Sequence, residues 1–459
     1  MNESQLMSIG FIANTHSSLS VIDALGKEYA IDTISPDSVF LCFNLPKLIP
    51  YLYNAGIEVP SRIIDLRVEY CLLKNVISGR CKASTSSVSV FDYELSEIAK
   101  LEGITRATLS DELWLHPFMA NNSEFIKKEQ KKLTIRNANW QIELWKKISN
   151  KVSLEHALAR STFSINASKI TLRGIKLNSD ALDLLKKQDV KTYKDLKSFT
   201  NSDYRSNSPI RAFGTSTGRN SKSSASYPLS IKSCYRTVII PVQGNCLLHL
   251  DYHRQEIGIA AALSKDSVLL DLYKNGDPYS WFAQQVTPHI SIKSAKRLFI
   301  SLQYGSGVTE QLLRKTSLSK SIVTELYNIH QDCFSRYWTW TTEVLEEAYC
   351  KRRLDIDGSW YALVNSDSPP LSIINWPIQA TGALLLRRVV NTSMAIGYVP
   401  IGLNHDGFLY ESEPKQAFSM AKKLENIMKS ESLNLLGIEL KVSTDIGSKN
   451  QNLLSLLEK

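Results

Sequence analysis

The spacing of apolar and polar positions sketches most of the chain's elements before any chemistry is considered. Within the first 150 residues, 9–13 and 39–43 are short apolar runs of the kind that form buried strands. Residues 45–55 repeat with a helical period, Ile63 and Ile64 lead into Asp65, and 66–76 is helical again. That alternation predicts an α/β module over 1–150. From 151 to 204, helical patterns alternate with polar turns. Leu247, Leu248 and Leu250 then form an apolar run that stops at Asp251, and a second apolar segment runs from Ile257 to Leu263. A strand that ends on an acid and turns into a helix has this pattern. Further on, apolar runs flank Asp406-Gly407, a strong hairpin signal that places Asp406 at a turn with His405 beside it. From Pro414 the pattern is that of a final amphipathic helix.

Composition adds a mild bias. The chain has 459 residues, 43% of them hydrophobic and 22% charged, which suits a globular protein of two to four domains. A net charge of +9 favours a polyanionic partner such as nucleic acid. The seven cysteines are dispersed, with no zinc-like spacing, as in a reducing compartment. No apolar run approaches a membrane span, no internal repeat is evident, and the N-terminus lacks secretory-signal features. No membrane association is expected, and the expected location is cytoplasmic.

The candidate chemistry lies in the second half. Asp251 alone is as easily a helix cap as a ligand. Two acids on strand ends, Asp251 and Asp406, can however converge on a pair of divalent ions, as two-metal phosphoryl transfer requires. Lys293, Lys296, Ile300 and Tyr304 recur at three- and four-residue spacing, so they share one helix face with two cations at one end and an aromatic at the other. That face suits a nucleoside triphosphate. Asp277-Pro278 opens a helix with a capping acid and proline at the first position. Asn375 and Gln379 lie four apart on a helix that starts near Pro377. Residues 205–235 are rich in Ser, Asn and Arg, and Arg211, Arg219 and Lys222 are candidate phosphate contacts. Residues 84–89 read as a loop, and 127–132 as a charged, solvated helix face.

These elements together resemble DNA polymerase family A. LDYHRQEI resembles its motif A through Asp251, Tyr252 and Glu256. NHDG resembles motif C through His405 and Asp406. KSAKRLFISLQYG resembles motif B, NWPIQATGA follows in family order, and Thr217-Gly218-Arg219 matches an upstream TGR. The resemblance implies an α+β polymerase right hand over 151–459. It divides into a reduced thumb and primer-contact loop (151–235), palm motif A (236–262), fingers (263–345) and a palm segment with motif C (346–459).

The resemblance also implies site roles. Asp251, Asp406 and Lys296 are catalytic, and Asp251, Asp406 and the Tyr252 carbonyl hold two Mg²⁺ ions, with Mn²⁺ a substitute. Glu256 is a steric gate against the ribose 2′-hydroxyl. Lys293, Lys296, Ile300 and Tyr304 join it at the nucleotide, while Arg219, Asn375, Gln379 and His405 contact DNA. The implied partners are primed DNA template, dNTPs and a processivity factor acting on a monomer. A phage or mobile-element origin follows from the short thumb. Three positions depart from the family pattern: Ile292 stands where motif B has Arg, Ile300 where it has an aromatic, and Gly407 where motif C has Glu. The two in motif B, Ile292 and Ile300, predict weaker nucleotide binding and altered sugar discrimination.

Residues 1–150 are similar by pattern to the family's RNase H-like 3′–5′ exonuclease domain, with Asn44 and Asp65 kept. The acids that hold its metals are not. Residues 11–16 contain no acid, Leu48 takes the second position, and Trp140 the last. The expectation is a DNA-templated DNA polymerase without proofreading. A non-catalytic DNA-binding scaffold on the same fold is the alternative, and Glu256 counts against a single-subunit RNA polymerase.

Overall fold

The computed structural model describes residues 9–14, 19–23, 27–29, 38–77, 93–104, 123–222 and 226–447. The expected loop at 84–89 lies outside them. The chain divides into two compact units, 1–75 with 83–173 and 209–215, and 76–82 with 174–208 and 216–459.

The first unit is built on a five-stranded sheet in the order β3-β2-β1-β4-β5. Its strands are β1 (Ile9–Asn14), β2 (Leu19–Asp23), β3 (Glu28–Tyr29), β4 (Val39–Cys42) and β5 (Ile63–Asp65). β1, β4 and β5 run parallel, and β2 and β3 are antiparallel additions. Side chains alternate across the sheet and build a core on each face. Phe11, Ile22, Leu41 and Ile64 pack with Ala138, Leu144 and Trp145 of α4 (Ser123–Ile148). Ile12, Val21, Phe40 and Ile63 pack on the other face with Leu45, Leu48 and Leu52 of α1 (Leu45–Asn54).

β5 feeds directly into α2 (Leu66–Leu73), which stops three residues short of the expected end at 76. Val76 instead forms a parallel bridge with Leu363, inside the second unit. Residues 95–101 form α3 (Leu95–Leu101). The expected boundary at 150 falls inside the first unit, because α5 (Leu154–Arg173) packs on α1 and β5 and donates its buried Arg160 to Glu69 at 2.5 Å. An unpaired buried guanidinium would be costly, so that pair pins the helix to this unit.

The second unit centres on a four-stranded antiparallel sheet, β9-β10-β6-β11, formed by β6 (Cys246–Tyr252), β9 (Gly402–Leu403), β10 (Gly407–Ser412) and β11 (Val442–Ile446). A separate hairpin pairs β7 (Arg353–Ile356) with β8 (Trp360–Leu363). Leu248, Leu250 and Tyr252 point to the covered face of β6, and His249 and Asp251 to the open one. The helices that matter for the site are α6 (Gln255–Ser264), α7 (Ile292–Gln303), α8 (Pro370–Ala395) and α9 (Pro414–Leu436). Among the described residues no helix is long and apolar enough to cross a membrane.

Candidate active site

The turn after β6 places the first acid. β6 runs to Tyr252, one residue past Asp251, and Arg254 adopts a left-handed φ of 53° before α6 begins. Glu256 therefore lies in the first turn of α6, where the helix dipole favours an anion. The second acid comes from the β9–β10 hairpin. Asn404 N donates to Gly407 O at 2.7 Å, and Tyr252 N donates to Asp406 O at 3.0 Å. The expected hairpin is present, with Asp406 in its loop and beside β6, as Asp251 opposes Gly407 across the strand pair.

Burial, reinforced by the facing Asp406 carboxylate, pushes the Asp251 carboxyl up to about 7. Its Oδ1 is buried with no hydrogen-bond donor. Two carboxylates brought together with an orphaned oxygen need a cation to be stable as charged groups. Among the described residues no cluster of three or more His, Cys, Asp or Glu side chains has metal-binding geometry, so any ion here would draw on backbone and substrate oxygens besides the two aspartates. Tyr252 is buried, and its hydroxyl donates to Met428 O at 2.7 Å.

A cleft of about 460 Å³ opens over this pair. Eight of the residues singled out from the sequence line it: Arg219, Asp251, Tyr252, Glu256, Lys296, Ile300, His405 and Asp406. Its size is that of a small-molecule site. α7 supplies Lys296 and Ile300 because its other face, Ala295, Leu298, Phe299 and Leu302, is buried. Phe299 packs edge-on against Phe282 and Phe334 at 5.3 and 5.8 Å, so it is core and does not reach the cleft. Lys293 lies one turn back on the exposed face of α7 and does not line the cleft.

Tyr304 caps α7 behind Glu256. Burial and the Glu256 carboxylate together raise its hydroxyl far above the ordinary range, and the Gln379 side chain also faces it. Asn375 Nδ2 donates to Tyr304 O at 3.3 Å and to Leu371 O at 2.7 Å. Tyr304, Asn375 and Gln379 thus form a layer behind Glu256 rather than the cleft wall. α8 starts at Pro370, with Pro377 inside it, not near 377 as expected. Arg211 falls in the first unit, and the side chain of Lys222 lies outside what is described.

Three groups at this site were not singled out from the sequence. Arg254 pairs with Asp277 at 2.8 Å and stacks on the Tyr279 ring, 4.9 Å from its centroid. Lys296 Nζ lies 5.6 Å from the same centroid, so Tyr279 holds two cations at the cleft. Asp277 caps its helix through Tyr279 N and Ser280 N, as expected, and also accepts Arg254. Gln303 Nε2 donates to Glu256 O at 3.1 Å and holds the start of α6. Only the polar position of Arg254 in LDYHRQEI hinted at this, and an ordinary surface charge would look the same.

Arg219 is fixed from both sides. Its Nη2 donates to Glu256 Oε1 at 2.7 Å. The indoles of Trp360 and Trp376 both donate to Ser216 O, at 2.9 and 3.0 Å, and Arg387 Nη1 donates to Gly218 O at 2.9 Å. Gly218 has φ 71°, and a Cβ there would stand 3.1 Å from the Trp360 ring. The left-handed backbone and the close ring both require glycine.

Residues 181–452 match the family model for DNA polymerase family A. No curated protein matches the chain. Among solved structures, the chain is similar to the POL domain of Pol1 from M. smegmatis in complex with DNA primer-template and dNTP. That likeness has a TM-score of 0.72 at 13% identity and covers 96% of this chain and 95% of that one. With more than half of its length matched by the family model, the chain belongs to DNA polymerase family A and is a DNA-directed DNA polymerase.

Proposed function

We propose that the protein extends a primer 3′ end with dNTPs by two-metal phosphoryl transfer at the Asp251–Asp406 pair, and that it has no 3′–5′ exonuclease activity. The observation that carries the first part is the pairing of two strand-end carboxylates, one with an orphaned buried oxygen, at the floor of a cation-lined cleft.

The donors fit hard divalent cations: Asp251, Asp406 and the Tyr252 carbonyl would hold two Mg²⁺ ions, with Mn²⁺ as substitute. Bound there, the ions supply activation of the primer hydroxyl and charge neutralisation at the leaving group. The chain's own residues do the rest. Lys296 and Arg254, held on Tyr279, face the triphosphate and neutralise its charge. Glu256 occupies the volume a ribose 2′-hydroxyl needs and so selects dNTPs. Ile300 packs against the sugar, and Lys293 attracts the phosphates from outside the cleft. Arg219, with His405 at the hairpin, contacts the primer, and Asn375 and Gln379 act with Tyr304 at the template side.

The right-hand reading assigns 236–262 and 346–459 to the palm, 263–345 to the fingers and 151–235 to a reduced thumb with its primer loop. It describes a monomer in the cytoplasm with weak unaided processivity, assisted by a processivity factor. Residues 1–150 are proposed as an exonuclease-like remnant. Leu48 and Trp140 are buried where that chemistry needs acids, and Arg136 lies over the Trp140 ring. Asp65, the acid that is kept, already accepts from Asn44 N, Leu45 N and Arg67 N. Primer extension with dNTPs and Mg²⁺ tests the polymerase, and primer shortening without dNTPs tests the nuclease.

A further inference from the structure

Gly407 opens β10 directly opposite Asp251, and its backbone is not in the left-handed region that favours glycine. Conformation therefore does not demand glycine here, but space around the position is tight. A Cβ at 407 would stand 3.0 Å from Asp251 Oδ1, 3.3 Å from Leu250 O and 3.4 Å from His249 Nε2. The nearest of these atoms, Asp251 Oδ1, is a side-chain end, so a side chain at 407 would push the Asp251 carboxylate and the His249 imidazole out of their present positions. His249 and Asp251 lie on the same open face of β6, with Asp445 and Ser443 opposite them on β11. The imidazole and the carboxylate thus share the volume that a side chain at 407 would fill.

We propose that His249 is a positioning residue for Asp251, and that His249 and Gly407 are a co-adapted pair. The imidazole lies beside the Asp251 carboxylate, at the edge of the space that a side chain at 407 would enter. It limits the rotamers of the Asp251 carboxylate and keeps it turned toward Asp406. Glycine at 407 is the condition for that arrangement. A carboxylate placed at 407 therefore collides with the imidazole, and harms the enzyme instead of improving it. This rests on the proposed role of Asp251.

The test compares His249→Ala, His249→Gln, Gly407→Glu and the double variant His249→Ala/Gly407→Glu, each in the full chain. Gly407→Glu alone lowers kcat about tenfold or more and lowers Tm in chelator by about 2–4 °C, the shift expected of a modest steric penalty. Removing the imidazole as well recovers most of the Tm loss and at least part of the kcat loss, so the two substitutions are non-additive. His249→Ala lowers kcat with the dNTP KM unchanged, and His249→Gln recovers part of it. Additive effects in both readouts, or a Gly407→Glu variant as active and stable as the parent, overturn the proposal. The Tm comparison is made without metal, so it reports the steric coupling even if Asp251 is not a ligand. Loss of extension in Asp251→Asn tests that separate claim.

Discussion

Arg219 and Glu256 are joined by a 2.7 Å ion pair at the mouth of the cleft, both partly exposed. The arginine that the resemblance sends to the primer and the carboxylate it gives to the sugar gate are thus one unit. On the proposed roles, a primer terminus bound at Arg219 would compete with Glu256 for it.

Glu256→Ala removes the gate, and the ratio of ribonucleotide to deoxynucleotide kcat/KM rises about tenfold or more, about 1.4 kcal/mol in discrimination. Single-nucleotide insertion kinetics measure it. An unchanged ratio refutes the gate assignment.

The loop bearing Arg219 hangs on two indoles and a guanidinium. Trp376→Phe trims a buried indole to a single ring and deletes one donor to Ser216 O, a loss of about 1 kcal/mol in the order of that loop on top of a cavity cost. The expected result is weaker primer-template binding together with a Tm lowered by several degrees, seen by fluorescence anisotropy beside thermal unfolding. A variant that binds the primer-template as tightly as the parent contradicts it.

His330 gives the pH dependence. It is fully buried among Phe282, Phe299 and Phe334, and burial lowers its pKa to about 3. Trp338 Nε1, which can only donate, donates to His330 Nδ1 at 3.2 Å, so the neutral ring carries its proton on Nε2. The folded value lies below the unfolded one, near 6.5. The stability that neutral His330 contributes is therefore fully present above pH 6.5 and is lost as pH falls toward 3, at about 1.4 kcal/mol per pH unit. Urea unfolding between pH 7 and 4 should show a steeper decline for the parent than for His330→Gln. Parallel curves rule this out.

Asp65 serves the fold of the first unit, tying the starts of α1 and α2 together. Asp65→Asn removes charge-assisted bonds to three backbone N–H groups and costs about 1–3 kcal/mol. An end-labelled primer incubated without dNTPs stays intact with parent and variant alike. Shortening by the parent that Asp65→Asn abolishes would give this acid a catalytic role instead.

What was legible follows from the physics of each signal. Asp251 and Asp406 stood out because each ends or interrupts an apolar run, and β6 and the β9–β10 hairpin are where those runs led. Lys296 and Ile300 could be placed on one face because helical periodicity is local. Arg254 and Tyr279 could not be paired, since their stacking depends on a left-handed turn and on the docking of a second helix. Gly407 was read as a turn glycine, whereas its reason is the close approach of Asp251 and His249 across β6, a non-local fact. The membership of α5 in the first unit depends on the buried Arg160–Glu69 pair, which no short window of sequence contains. Ile300 faces the cleft while its neighbour Phe299, one residue back on α7, lies in the core.

The measurement that tests the central claim most directly is extension of a primed single-stranded template with dNTPs and Mg²⁺, beside Asp251→Asn and Asp406→Asn. The account predicts extension by the parent, loss of at least about a thousandfold in either variant, and unchanged DNA binding and Tm within a few degrees. Folded parent protein that binds the primer-template but extends it with neither Mg²⁺ nor Mn²⁺, or variants that extend as the parent does, would contradict it.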